Sequence, residues 1–207
     1  NFHLQVSVDG LPAAHDAIRG AGAHAALVEQ LRTLQQLSMA YTISVCVTRD
    51  NVADLPSLVD FCAEVGATNL HLMWYFIRGR GEAEQWVDPA EILPHLLQAM
   101  ARAEQHGISI DNIDALKTQA FAPSGTRHDG TGAGWESLTI GPDDHVYPSA
   151  ATIGVADLAH PLHGDLESAW RNSPSLQRIR SATAASLESP LRFLTGGGDS
   201  DHRFMHS

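Results

Sequence analysis

Val6-Ser7-Val8-Asp9-Gly10, followed by His15-Asp16 and Arg19-Gly20, is the stretch on which the fold turns. An alternating apolar strand that ends in Ser-x-Asp-Gly carries a hydroxyl, a carboxylate and a turn glycine to the strand's carboxyl end. In a parallel sheet that is where ligands sit. Arg19 is expected at the entry to the next helix, which would complete a polar ligand cradle. The plainer alternative is that Asp9-Gly10 is only a turn and His15-Asp16 an exposed helix entry.

Outward from this stretch, strands and helices alternate. A strand over Leu4 to Val8 is followed by an amphipathic helix with Ala26, Leu27, Leu31, Leu34 and Leu37 on one face. Tyr41 to Thr48, rich in β-branched residues, is the second strand. Asp50 or Asn51 is placed to cap a helix Ala53 to Val65 that stops at Gly66. Asn69 to Phe76 is a third strand, and Asp88 caps a helix Pro89 to Gln105 with proline in its first turn and Gly107 as its stop. This order indicates βαβ units and a parallel sheet, half a barrel or an open α/β sheet.

Between Phe121 and Gly134 the chain turns to Gly, Pro, Ser, Thr and Asp, so a boundary is expected near residues 115 to 130. Beyond it a hairpin over Glu136 to Pro148 turns at Gly141-Pro142-Asp143-Asp144, and helical pieces are expected at Leu166 to Arg171 and Pro174 to Ser181. The end, with Gly196-Gly197-Gly198-Asp199-Ser200-Asp201-His202, is glycine-rich and carries acids and a histidine.

The totals exclude several classes. The chain of 207 residues is 43% hydrophobic and 18% charged, a folded composition. No apolar run approaches the roughly 18 to 20 residues a membrane span needs, and no basic-then-apolar leader precedes the first strand, so a cytoplasmic protein is expected. A net charge of -11 with scattered Lys and Arg argues against a nucleic-acid partner. Cys46 and Cys62 form no C-x-x-C pair and read as small core hydrophobes; an iron-sulfur cluster needs more thiolates than they supply.

Taken in order, these pieces resemble a radical S-adenosylmethionine (radical SAM) enzyme of the peptide- and protein-maturing type. Ser7-Val8-Asp9-Gly10, His15-Asp16 and Arg19-Gly20 are similar to its ribose-binding strand and loop; Val45 to Asn51 resembles the strand that ends in asparagine; Ile77-Arg78-Gly79-Arg80-Gly81 resembles the glycine-bearing turn after the next. The hairpin Leu138-Thr139-Ile140-Gly141-Pro142-Asp143-Asp144-His145-Val146-Tyr147-Pro148-Ser149, Gly164-Asp165-Leu166 and Ala169-Trp170-Arg171-Asn172-Ser173 resemble the SPASM auxiliary domain of such maturases. The resemblance implies the later half of a partial (β/α) barrel over residues 1–120 and a small α+β SPASM-like domain over 121–207. The three-cysteine motif of the catalytic cluster is absent, as the resemblance would imply for a chain that is N-terminally truncated. Ser149 stands where the hairpin cysteine would be, and no thiolate occurs after Cys62, so the auxiliary clusters are absent too.

On this resemblance the cofactors are S-adenosylmethionine and a [4Fe-4S] cluster ligated upstream, and the partner is a peptide or protein substrate; the oligomeric state is open. Ser7 and Arg19 would bind the cofactor, with Asp9 orienting the loop or reaching the substrate. Asn51 is either a further cofactor contact or a helix cap. His71 and either Met73 or Tyr75 would line the cavity where the substrate sits, the alternative for His71 being a core residue. The weak metal candidates Asp199, Asp201 and His202 leave a metal-dependent hydrolase as one rival, and a non-catalytic peptide-binding module that kept the fold is the other.

Overall fold

The computed structural model describes residues 4–113, 132–181 and 201. Contacts divide the chain into two compact units, residues 1–114 and 115–207.

In the first unit four parallel strands lie in sequence order: β1 (Leu4–Ser7), β2 (Tyr41–Val47), β3 (Asn69–Trp74) and β4 (Ser109–Ile110). Helices α1 (Pro12–Arg19), α2 (Ala23–Gln36), α3 (Leu55–Val65) and α4 (Pro89–His106) connect them. The alternation expected of a parallel α/β sheet is present, with a short fourth strand that the sequence pattern left out. At β4 only two residues pair as backbone. Asn112 then prolongs the sheet with its side chain, donating from Nδ2 to the Leu72 carbonyl at 2.7 Å and accepting at Oδ1 from the Leu72 N–H at 3.2 Å.

Register sorts the sheet into two faces. In a parallel sheet paired residues point the same way and successive ones alternate. Leu4, Val6 and Val8 therefore share a side with Ile43, Val45, Leu70 and Leu72, and these form the core with Leu55, Leu58, Val59 and Cys62 of the α3 helix. The opposite side carries Gln5 and Ser7 from β1, Thr42, Ser44 and Cys46 from β2, and Asn69, His71 and Met73 from β3. One face is an oil-filled helix contact and the other is polar.

Three local expectations are corrected. Arg19 is the last residue of α1 rather than the entry to the next helix, because Pro12 opens an eight-residue helix that Gly20 closes at φ 101°. On α2 the inward stripe is the buried His24 and Leu31 with the half-buried Leu27 and Leu34; Ala26 and Leu37 are exposed, since His24 takes the buried place one turn before Leu27 and Val28. Neither Asp50 nor Asn51 caps α3, which is entered through a 3-10 turn, Val52–Asp54. Asp88 does cap α4, accepting from the Ala90 N–H at 2.8 Å, and Gly107 closes it at φ 67°.

The second unit has an antiparallel sheet of β5 (Thr139–Ile140), β6 (His145–Tyr147) and β7 (His160–Pro161), then α5 (Leu166–Asn172) and α6 (Pro174–Ser181). Tyr147 is buried and its hydroxyl donates to Asp143 Oδ2 at 2.5 Å, tying the turn to the strand and holding that carboxyl below the usual range. Arg180 stacks 4.1 Å above the Trp170 ring and donates to the carbonyls of Gly134 and Trp170. Among the described residues no helix is long and apolar enough to cross a membrane.

Candidate functional site

The polar face gathers at the carboxyl ends of β1 and β2. Beyond Ser7, which is exposed on that face, the chain passes Val8 into the core and presents Asp9, whose side chain is only 13% exposed. Asp9 is fixed from three sides. Its N–H donates to His15 Nδ1 at 3.1 Å, its Oδ2 accepts from Arg19 Nε at 2.6 Å, and its carbonyl accepts from Asn51 Nδ2 at 2.9 Å. Oδ1 carries no protein partner among the described residues. Arg19 therefore faces Asp9 through Nε, and its first task is to hold that carboxylate.

Asn51 is 1% exposed and its amide is heavily committed. Nδ2 also donates to the Cys46 carbonyl at 2.9 Å, and Oδ1 accepts from the Thr48 N–H at 2.8 Å. It braces the end of β2 against the turn after β1. Gly10 sits in the same crossing at φ 138°, where a Cβ would lie 2.7 Å from Ala14 Cβ and 3.2 Å from Asn51 Cβ. Only glycine fits there.

His15-Asp16 belongs to this scaffold rather than to an exposed helix entry. His15 is buried under Asp9, and Asp16 accepts from the N–H groups of Gly22 and His24 at 2.8 Å each, capping α2 from the previous helix. Those bonds hold the Asp16 carboxyl below its ordinary value. His24 is buried against Phe61 and edge-on to His15, with Nε2 lacking a partner among the described residues, and burial pulls its pKa down. Because the folded value lies below the unfolded one, stability is complete above the ordinary histidine range and falls as pH drops through it, the unfolded chain binding the proton first. Urea midpoints at pH 7.5 and 5.5 are expected to lie closer together in His24→Leu than in the wild type; an unchanged gap would assign the acid sensitivity elsewhere.

Across the sheet, Ser7 registers with Ser44 and Ser44 with His71. His71 Nδ1 lies 2.7 Å from Asp111 Oδ1, and Asn69 Nδ2 donates to Asp111 Oδ2 at 2.8 Å. Thr42 Oγ1 in turn donates to Asn69 Oδ1 at 2.6 Å. His71 is thus partly exposed on the polar face and is not a core residue. Met73 is 39% exposed on the same face, level with Cys46. Tyr75 lies past the strand end, where its hydroxyl accepts from the Glu82 N–H at 2.7 Å and so supports the glycine-bearing turn.

Of the two cysteines, Cys62 is a buried core residue as expected, its thiol pushed up to about 12 by desolvation. Cys46 is instead half-buried on the polar face, where burial, and after it the charge of Asp9, raise its pKa. Among the described residues no group of three His, Cys, Asp or Glu could hold a metal ion. Asp199 and His202 lie outside the described residues; Asp201 accepts from Ser149 Oγ at 2.5 Å. Ser44, Asn69 and Asp111 escaped the sequence reading. The small polar residues alternating through Thr42, Ser44 and Cys46, and the Asp-Asn pair soon after the Gly107 stop, were the available signals.

No family model matches the chain. Mycofactocin maturase MftC of Mycobacterium ulcerans is 29% identical over 192 residues, 88% of this chain and 51% of the relative. The chain spans about half the length of the curated relatives it matches. Among solved structures, Streptococcus suis SuiB bound to S-adenosylmethionine superposes with a TM-score of 0.64 at 15% identity, covering 93% of this chain and 47% of that one. The enzyme anSMEcpe with bound AdoMet and the Kp18Cys peptide gives 0.70 at 13% identity, covering 97% and 60%. The chain is homologous to the mycofactocin maturase, and its fold is that of the radical SAM enzymes.

Proposed function

We propose that this chain, a homologue of radical SAM maturases, forms the later part of a barrel that holds S-adenosylmethionine at its strand ends and a peptide or protein substrate over its polar face. The observation that carries the reading is the braced carboxylate. Asp9 is nearly buried, aligned by Arg19, His15 and Asn51, and left with one oxygen uncommitted among the described residues at the sheet's mouth. A buried carboxylate so aligned is suited to accept hydrogen bonds from a hydroxylated ligand such as a ribose. Ser7 lies two residues earlier on the same face and would supply a second contact. Arg19 and Asn51 would act by keeping Asp9 in place, and His71 and Met73 would border the substrate. The SuiB and anSMEcpe structures with bound cofactor and the peptide complexes of both support this choice of ligands.

The residues fit S-adenosylmethionine but not an iron-sulfur cluster. A [4Fe-4S] cluster requires a set of thiolates, and this sequence has two cysteines, one of them locked in the core. The cluster would be ligated by residues outside this sequence. With it, the cofactor would supply radical hydrogen abstraction, while this chain's task is to hold cofactor and substrate and to exclude water. The SPASM-like unit would then work without a cluster, Ser149 bonding Asp201 in place of a metal.

The test is made on the polypeptide as its genome encodes it, produced without oxygen. About four irons per bound cluster and 5′-deoxyadenosine release on reduction with S-adenosylmethionine are expected. Iron-free protein that leaves the cofactor intact would overturn the reading.

A further inference from the structure

Ser7, Ser44, His71 and Asp111 stand in one row across the four strands. Register pairs the first three in turn, and Asp111 follows the Leu70–Ile110 pair by one residue, which brings it beside His71 on the polar face. Asn112 pins that stretch in place by clasping the backbone of Leu72. Both oxygens of Asp111 are engaged, Oδ1 with His71 Nδ1 at 2.7 Å and Oδ2 by Asn69 Nδ2 at 2.8 Å, and Thr42 completes the line by fixing Asn69. A carboxylate offers only acceptors, so in the neutral ring the proton sits on Nδ1. Nε2 is what the line leaves over. It has no hydrogen-bond partner among the described residues, it is not shut away from solvent, and the side chain is 34% exposed.

An imidazole with a carboxylate behind Nδ1 and an open lone pair on Nε2 is built to take a proton. Other histidine and carboxylate pairs among the described residues lack this setting. His106 meets Asp60 on helices α3 and α4, where Arg102 already holds the same carboxylate; His145 is bonded to its own turn; His15 is buried and spends Nδ1 as an acceptor. His71 instead shares the row of Ser7 and stands two strands from it, about 10 Å, close enough for a substrate held beside the cofactor to meet the ring. We infer that His71 is a catalytic base that takes a proton from the substrate through Nε2. The bond from that hydrogen to its substrate atom breaks, the electron pair stays with the substrate, and an Nε2–H bond forms. The imidazolium that results keeps Asp111 as its counter-charge. The substrate class this fits is one with a weakly acidic hydrogen at the reacting position. The inference rests on the proposed function for what the polar face receives. Asp111, Asn69 and Thr42 are positioning residues, acting through the tautomer of His71.

The probe is 5-nitrobenzisoxazole, which needs only a base. Its ring C–H proton passes to the base, the N–O bond breaks, and a coloured cyanophenolate forms without any reduction or radical. The polypeptide as its genome encodes it, left unreduced, is expected to open the probe roughly tenfold or more faster than His71→Gln. Asp111→Asn should lower kcat roughly tenfold with KM unchanged, because an amide can donate to Nδ1 and so places the ring proton on Nε2. Nitrogen-15 NMR of the histidine rings reads that change directly, as Nδ1–H in the neutral wild-type ring and Nε2–H gained in Asp111→Asn. Urea midpoints of the variants separate a lost base from lost folding, and the isosteric Asp111→Asn carries the test if His71→Gln unfolds. Equal rates in the wild type and a folded His71→Gln, an unaltered kcat in Asp111→Asn, or an Nε2–H tautomer in the wild type would overturn the inference. Release of 5′-deoxyadenosine on reduction reports on the proposed function alone, so either can fail without the other.

Discussion

Asn51→Ala is expected to lower the stability of the first unit by roughly 3 kcal/mol or more, among the largest effects of any polar substitution in the chain. The side chain is 1% exposed and satisfies three backbone groups: the carbonyls of Asp9 and Cys46 and the N–H of Thr48. Truncation leaves them without that partner, each at a cost of about 1 kcal/mol or more. Urea denaturation checks it, as a drop in midpoint without a change in slope. A residue that served only as a cofactor contact would behave otherwise. Its removal would leave the midpoint in place and weaken only S-adenosylmethionine binding.

Gly10→Ala is the second large effect, expected at about 2 to 4 kcal/mol. Two causes add. The backbone at φ 138° is one that L side chains rarely adopt, and the new methyl would meet Ala14 Cβ at 2.7 Å with Asn51 Cβ close behind. Ala14→Gly in the same chain removes the nearer clash but not the backbone strain. The double variant should therefore recover part of the lost urea midpoint and not all of it. Full recovery would show that sterics alone demand glycine here, and no loss in the single variant would show that the turn after β1 is free to move. Since this turn carries Asp9, a displaced turn is also a displaced carboxylate.

The fold was legible because hydrophobic alternation and helix punctuation agree. Asp88, Pro89 and Gly107 bracket one helix, and runs such as Tyr41–Val47 and Asn69–Trp74 read as strands from their own residues. What escaped depended on other parts of the chain. Helix α1 is short and lies between glycines, so its eight residues read as loop. Strand β4 has two backbone-paired residues, with Asn112 standing in for the next by a side-chain bond that no periodicity announces.

The site was legible in part for the same reason. Ser7, Asp9 and Asn51 stood out as polar residues at or just past strand ends and Arg19 as an arginine at a helix entry, and all but Ser7 bond to one another through Asp9. Their division of labour did not stand out, because it rests on which atom meets which. Arg19 meets Asp9 only because α1 brings its last turn back towards the end of β1, and Asn51 spends its Nδ2 on the Cys46 carbonyl of β2 and the Asp9 carbonyl of the turn after β1. Ser44 gave little signal at all. A serine among β-branched residues reads as strand filler until register shows that its neighbours are Ser7 and His71.

The central claim is that the polar face ends in a cradle for S-adenosylmethionine around Asp9. The most direct measurement is a titration of the nitrogen-15-labelled protein with S-adenosylmethionine, read at each backbone amide and repeated on Asp9→Asn. Shifts concentrated at residues 7–10 and 44–51, and at least tenfold weaker binding in the variant, are the expected result. Saturable shifts confined to residues 132–181, or equal affinity in the two proteins, would contradict it.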